Sequence, residues 1–145
     1  MEKQNLNLPV GYLLERTTRV VKLRFHRLFK EKNMDLTPEQ WIVLDILHQS
    51  DSMSQKQLGE HSFKDAPTIS RIVKGLVVRS MIQIKAGEED KRVQNISLTK
   101  TGVLTVEKLL PEIEKIRATG LEGLSPKEYK MFNSIMDKIF QNYSI

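Results

Sequence analysis

The stretch DAPTISRIVKGLVVRSMIQIKAGEEDKRVQNISLTKTG, residues 65–102, decides the fold, because its apolar residues change from helical spacing to alternation and back. From 65 to about 80 the spacing predicts a helix whose apolar face consists of Ile69, Ile72, Val73 and Leu76. The opposite face of this helix carries Pro67, Arg71, Lys74 and Val78, flanked by Thr68, Ser70 and Gly75. This small, hydroxylated and cationic surface suits the groove of a nucleic-acid duplex.

The residues after Met81 predict a β-hairpin, with a polar turn at 87–90 and a second strand at 92–98. The alternating apolar positions are Ile82 and Ile84 in the first strand and Ile96 and Leu98 in the second. A helix followed at once by a hairpin is the outline of a winged helix. The predicted fold class is therefore mainly α with a small β-hairpin.

Three capping boxes mark helix starts, each with a hydroxyl residue followed three positions later by Gln or Glu. They are Thr37 with Gln40, Ser54 with Gln57, and Ser125 with Glu128. Asp65 is a further N-cap, and Pro67 lies in the first turn, where its missing amide hydrogen costs nothing. Two short helices joined by Phe63 and Lys64 therefore predict a helix-turn-helix.

Further helices are expected at both ends of the chain, over residues 8–32, from Thr99 onward, and from Ser125 to Tyr143. Pro111 falls inside the second of these and predicts a kink near Glu107 or a break there. We expect one domain over 1–145, with a winged helix-turn-helix lobe at about 35–102 and dimerisation helices at about 8–32 and 103–143. A monomeric helical bundle is the alternative to a dimer.

The composition restricts the possible functions. The 145 residues carry a net charge of +5, which is compatible with a polyanionic partner without establishing one. The chain contains no cysteine, which excludes disulfides, thiolate metal sites and thiol-based redox sensing. No apolar run is long enough to span a bilayer, and the first ten residues lack the core of a signal peptide, so we expect a cytoplasmic protein.

The helix at 65–80 is the expected recognition helix, because a helix fits the major groove of B-DNA. Arg71 can bind a guanine edge with both ends of its planar guanidinium, and Pro67 and Thr68 can contact a thymine methyl. Ser70 and Lys74 are expected to position the phosphate backbone. The alternative is that these residues form only the solvated side of an amphipathic helix.

The hairpin tip, Gly87 to Arg92, places Asp90 two residues before Arg92. If the second strand has begun at this point, the carboxylate can orient the guanidinium toward a narrow minor groove. A solvated charged turn is the alternative for this tip.

Residues 65–102 resemble the recognition helix and wing of the MarR family of bacterial transcriptional regulators. The resemblance depends on Asp90-Lys91-Arg92, on the strand end Leu98-Thr99-Lys100-Thr101-Gly102, and on Pro67, Thr68, Ser70 and Arg71 before Ile72. It implies a homodimer that binds a pseudo-palindromic operator and usually represses. Two departures are that the segment from Val78 to Met81 lacks the family's glycine after the recognition helix, and that Lys91 stands where many members have arginine. The resemblance therefore gives the minor-groove role to Arg92, and Lys91 is expected to contact phosphate.

Many MarR proteins release DNA when a small anionic or aromatic effector binds between the dimer helices and the DNA-binding lobe. Candidates for such a site are Tyr12, Arg16, His26 and Trp41, although Tyr12 and Trp41 also fit core or interface positions. The widely spaced histidines predict no metal site, and no catalytic constellation or cofactor motif is present. A winged-helix module that binds an acidic protein partner is the alternative to a DNA-binding regulator.

Overall fold

The computed structural model describes residues 7–144, which form six helices and one two-stranded antiparallel sheet. The elements are α1 (Val10–Glu31), α2 (Pro38–Gln49), α3 (Gln55–Ser62), α4 (Ala66–Val78), β1 (Ile82–Ala86), β2 (Gln94–Leu98), α5 (Lys100–Gly120) and α6 (Pro126–Tyr143). This confirms the predicted fold class and the position of the hairpin between the fourth and fifth helices. None of the helices in the described part is both long and apolar enough to cross a bilayer.

The chain divides into two compact units, one ending at Pro111 and the other beginning at Glu112. The sequence places the start of the second dimerisation segment at about 103, so the first compact unit extends further than the predicted lobe. α5 continues through Pro111 as one helix, so the break that was one of two expected outcomes does not occur. Val106 and Leu109 before the proline are fully buried, and their packing stabilises the helix despite the missing donor.

All three predicted capping boxes form with both of their hydrogen bonds. In α2, the amide of Gln40 donates to Thr37 Oγ1 at 3.1 Å, and the amide of Thr37 donates to Gln40 Oε1 at 3.1 Å. Thr99 caps α5, because its Oγ1 accepts the amide of Gly102 at 3.0 Å. These local capping signals set the starts of α2, α3, α5 and α6.

The core of the first unit lies under α4. The four predicted apolar residues of that helix are buried, together with Leu58 of α3, Trp41 and Leu44 of α2, and Ile96 of β2. β1 and β2 pair with Ile84 opposite Ile96, and Met53 forms an isolated bridge with Ile96 on the other side of β2. The hairpin is therefore attached to the segment between α2 and α3 as well as to the end of α4.

An ion pair connects α1 to the first turn of α2. Lys22 Nζ lies 2.8 Å from Glu39 Oε1. Burial raises the pKa of Glu39, but the hydrogen bond from Lys22, the Glu39 amide and the charges of Lys22 and Lys64 outweigh this and hold the pKa below its ordinary value of 4.5. A lowered carboxyl pKa stabilises the fold above the unfolded-state value, and this stabilisation is lost as the pH falls through the folded-state value.

We expect Glu39→Gln to lower the free energy of unfolding by about 0.5 kcal/mol at neutral pH, because the pair is partly solvent-exposed. The difference should shrink as the pH falls through the folded-state pKa, which lies below 4.5, because Glu39 is then protonated in both states. Urea denaturation of both proteins at pH 7 and pH 3 measures this, with the exposed Glu107→Gln as the control. A difference that persisted unchanged at pH 3 would contradict the assigned ion pair.

Candidate nucleic-acid interface

The predicted recognition helix corresponds to α4, which begins as the sequence predicts. The carboxylate of Asp65 accepts the amide of Thr68 at 2.8 Å, and Pro67 lies in the first turn. The backbone and side-chain hydrogen bonds from Thr68, with a smaller contribution from the charge of Arg71, lower the pKa of Asp65 from its ordinary 3.8. Because Asp65 accepts one of the free amides, the first turn of the helix has a fixed geometry at the end that would approach DNA.

The predicted polar face of α4 is exposed. Pro67, Arg71 and Lys74 are exposed, Val78 is 84% exposed, and Thr68 and Ser70 are half-buried beside them. Arg71 Nη2 lies 3.5 Å from Thr68 Oγ1, which places the guanidinium beside the hydroxyl one turn earlier. Pro67 and Lys74 are about 10 Å apart along the helix, a length that fits within the major groove. The five predicted recognition residues therefore lie along one accessible strip.

The C-terminal end of α4 forms a left-handed cap without glycine. Ser80 has φ 56°, its amide donates to the carbonyl of Val77 at 2.9 Å, and the amide of Met81 donates to that of Leu76 at 3.0 Å. These two bonds define a Schellman motif, in which glycine usually supplies the positive φ. Thr99 Oγ1 also donates to the carbonyl of Ser80 at 2.5 Å. The missing family glycine does not prevent the cap, because serine adopts the conformation with this added support.

The tip of the wing holds the predicted acid–arginine pair. Asp90 Oδ1 accepts the amide of Arg92 at 3.0 Å and Arg92 Nε at 3.3 Å. The loop is closed by the amide of Gly87 donating to the carbonyl of Val93 at 2.7 Å. One carboxylate oxygen thus holds both the backbone and the side chain of Arg92. The ion pair is made by Nε and not by the terminal nitrogens of the guanidinium.

The predicted start of the second strand is wrong. β2 begins at Gln94, so Asp90, Lys91 and Arg92 all lie in the connecting loop and not on one strand face. Arg92 is oriented by an Asx-turn, in which the Asp90 carboxylate accepts the backbone amide of Arg92 two residues later. The Arg92 side chain is 92% exposed, and Lys91 is exposed beside it. An ion pair this exposed adds little stability, and its effect is to set the direction of the Arg92 side chain.

The four effector candidates do not come together within one chain. Trp41 is 2% exposed and packs in the core, with its ring centroid 6.4 Å from that of Phe29. Tyr12, Arg16 and His26 are exposed on α1. Tyr12 and His26 are about 21 Å apart along the helix, too far to line one small-molecule site. His26 instead borders a shallow groove on α1 with Arg19, Lys22 and Leu23.

One residue that the sequence did not indicate holds the end of α4. Arg79 donates through Nη1 to Gln40 Oε1 at 2.9 Å and to the carbonyl of Asp35, and through Nη2 to Asp35 Oδ2 at 2.9 Å. Its acceptors lie about forty residues earlier in the chain. No local pattern connects residues at this separation, so the sequence offered no signal for the contact.

Within the described residues, no group of three or more histidine, cysteine or acidic side chains could hold a metal ion. The arrangement that remains is an exposed cationic helix and an arginine held at the tip of a hairpin. Hydrogen bonds cap both ends of the helix and close the loop at the tip of the hairpin.

The chain is similar to known proteins in sequence and in fold. Residues 36–93 match the model of the MarR family. The HTH-type transcriptional repressor IacR from Pseudomonas putida is 23% identical over 111 residues, which are 77% of this chain and 66% of the repressor. The MepR–DNA complex from S. aureus has a TM-score of 0.84 at 22% identity and covers 94% of this chain and 99% of its own. BpsR from Bordetella bronchiseptica has a TM-score of 0.81 at 23% identity and covers 94% of this chain and 96% of its own.

Proposed function

We propose, from the premise that residues 36–93 of this chain form a MarR-family domain, that the protein is a transcriptional regulator that binds a pseudo-palindromic operator as a homodimer. MarR proteins are regulators and not enzymes. The observation that best supports the proposal is the exposed strip on α4, which carries hydroxyl and cationic groups. The helix itself is capped at both ends. The repressor IacR and the DNA complex of MepR support the same function by similarity.

In this proposal, α4 enters the major groove. Arg71 binds the O6 and N7 acceptors of a guanine, while Pro67 and Thr68 contact a thymine methyl. Ser70 and Lys74 contact the phosphate backbone and set the register of the helix on the duplex. Thr68 beside Arg71 limits the directions that the guanidinium can take, which favours one base pair over its neighbours.

The wing supplies a second contact in the adjacent minor groove. Asp90 holds the exposed Arg92 side chain through its Nε, and a narrow minor groove concentrates negative potential that attracts such a side chain. Lys91 contacts phosphate. The exposed acids Glu88 and Glu89 reduce the positive potential of the wing, so binding depends on the direction of Arg92 more than on the total charge.

The dimer in this proposal is formed by the helices outside the lobe. α6 has no buried residue among those described, and its apolar side chains are exposed at helical spacing. α1 likewise exposes Tyr12, Leu13, Val20 and Val21. A second copy of the chain would cover such faces and would hold two recognition helices at a fixed separation. The two half-sites are then about one helical turn of DNA apart, or a multiple of it.

A small anionic or aromatic effector is a further part of the proposal. BpsR is described as regulated in its DNA binding by 6-hydroxynicotinic acid, a small aromatic acid. On this chain the groove on α1 has a volume of 470 Å³ and includes Arg19, Lys22 and His26. Arg19 can pair with a carboxylate there, although Glu15 also lines the groove and Lys22 is already paired with Glu39, whereas the buried Trp41 is not available to a ligand.

Replacing Arg71 with alanine tests the base readout. We expect Arg71→Ala to weaken binding to a selected duplex by about 1–3 kcal/mol and to relax the preference at one base pair in each half-site. Lys91→Ala is the matched control, because losing a phosphate contact should weaken binding to all duplexes alike and reduce the salt slope by about one for each half-site. Fluorescence anisotropy on duplexes changed one base pair at a time measures both. Unchanged discrimination in Arg71→Ala would rule out the assigned readout.

A further inference from the structure

Apolar packing alone leaves the orientation of α4 loosely determined. The helix rests on the core through Ile69, Ile72, Val73 and Leu76, and hydrophobic contact is non-directional. A small roll of α4 about its axis would keep most of this burial. The same roll would displace the exposed strip relative to a groove, so some directional contact must fix the angle if the strip is to read bases.

Arg79 provides directional contacts at the C-terminal end of α4. Its guanidinium donates to a carbonyl and a carboxylate of Asp35, in the segment between α1 and α2, and to the side chain of Gln40 in the first turn of α2. A planar guanidinium bound to three acceptors on two segments restricts rotation in a way that a single bond does not. The Arg79 guanidinium therefore fixes the C-terminal end of α4 against both segments.

Gln40 is a well-fixed acceptor for this contact. Its Oε1 also accepts the amide of Thr37 at 3.1 Å in the capping box, so the side chain is held before Arg79 binds to it. One turn before Arg79, a Cβ built on Gly75 would lie 3.2 Å from Gln40 Nε2, so the backbone of α4 passes close to the same side chain. The neighbouring Glu39 pairs with Lys22 of α1. The first turn of α2 thus connects α4 to α1.

We propose that Arg79 is a positioning residue that fixes the rotation of the recognition helix through Asp35 and Gln40, and that specific DNA binding depends on this fixed angle. The role in DNA binding rests on the proposed function, whereas the fixed angle is a property of the protein alone. Arg79 is half-buried and directed at these acceptors, so it acts through the placement of Arg71 and not by a contact of its own with phosphate.

The first test measures DNA binding by Arg79→Gln, which keeps a polar side chain but loses the charge and the fork. We expect about tenfold weaker binding to the selected duplex, with little change for random-sequence duplex and an unchanged salt slope. Arg79→Lys should recover part of the loss. Leu47→Ala, which removes buried atoms of α2 about two turns after Gln40, is the control for lost stability and should bind normally well below its melting temperature.

A double-mutant cycle with Asp35→Ala identifies the partner. If Arg79 acts through Asp35, the double variant should bind little worse than Arg79→Gln alone. Additive losses would contradict the proposed partner. Equal losses on all duplexes with a reduced salt slope would assign Arg79 to phosphate contact, and an unchanged affinity for the selected duplex would overturn the proposal outright.

A second test needs no DNA. The chain has no native cysteine, so spin labels can be attached through Gln49→Cys on α2 and Lys74→Cys on α4, both at exposed positions. Pulsed electron paramagnetic resonance should give a narrow distribution of distances between the two labels in the protein with Arg79, and a broader distribution in Arg79→Gln. Equal widths would refute the positioning role even if the protein bound no operator, so failure here differs from failure of the proposed function.

Discussion

The double substitution Phe132→Glu and Ile135→Glu is expected to produce a folded monomer whose affinity for the operator is about 100-fold lower or worse. Phe132 is 51% exposed and Ile135 is 49% exposed on α6, so the introduced carboxylates cause no loss of buried packing within one chain. In a dimer the same positions would be covered, and burying two unpaired carboxylates is strongly unfavourable. Each monomer would then bind one half-site without the effective concentration that a linked second site provides.

Sedimentation equilibrium and anisotropy on the same samples measure the two effects together. Ser134→Glu adds a carboxylate at an exposed position on the polar side of the same helix and should remain a dimer with normal affinity. The proposed dimer surface would be refuted if the double variant remained dimeric. A monomer that kept full operator affinity would instead refute the need for a dimer.

The substitution Gly102→Ala is expected to lower the free energy of unfolding by about 2–3 kcal/mol. A Cβ at this position would overlap the carbonyl oxygen of Met81, which is backbone and cannot swing away. The same carbonyl accepts the amide of Thr99 at 3.0 Å, so moving it would disturb the cap that joins α4, the hairpin and α5. Glycine is needed here because two backbone segments approach closely.

Gly120→Ala on the same helix is the matched control, since a Cβ there meets nothing within 4 Å. It should leave stability unchanged or raise it by about 0.5 kcal/mol, because alanine restricts the unfolded chain. Urea denaturation of the three proteins gives the comparison. Equal midpoints for Gly102→Ala and Gly120→Ala would show that the close approach at Met81 is not a constraint on the fold.

Local features were predicted well from the sequence. The capping boxes at Thr37, Ser54 and Ser125 and the cap at Asp65 each involve residues three positions apart, so their hydrogen bonds depend on little outside the segment. The apolar face of α4 is equally local, because helical periodicity alone determines it. These features suffice to define the recognition helix and its exposed strip.

Other features depend on the rest of the fold. The predicted start of β2 was wrong because a strand begins only where it pairs with its partner, and β1 ends at Ala86 opposite Gln94. Pro111 did not break α5, because burial on the helix outweighed the loss of one donor. Ser80 adopts a left-handed conformation that the sequence favours only weakly, with support from Thr99 nineteen residues later. Arg79 and its acceptors are separated still further, so their contact was not predictable.

Selection of binding sites from random-sequence duplexes by the intact protein, followed by footprinting at physiological salt, tests the central proposal most directly. We expect enrichment of a two-fold symmetric sequence with half-sites about one helical turn apart, and an affinity that falls steeply as salt rises. Contrary results would be an absence of any enriched sequence, or protection of a single asymmetric site. Either result would show that the exposed strip on α4 does not read DNA as a symmetric pair.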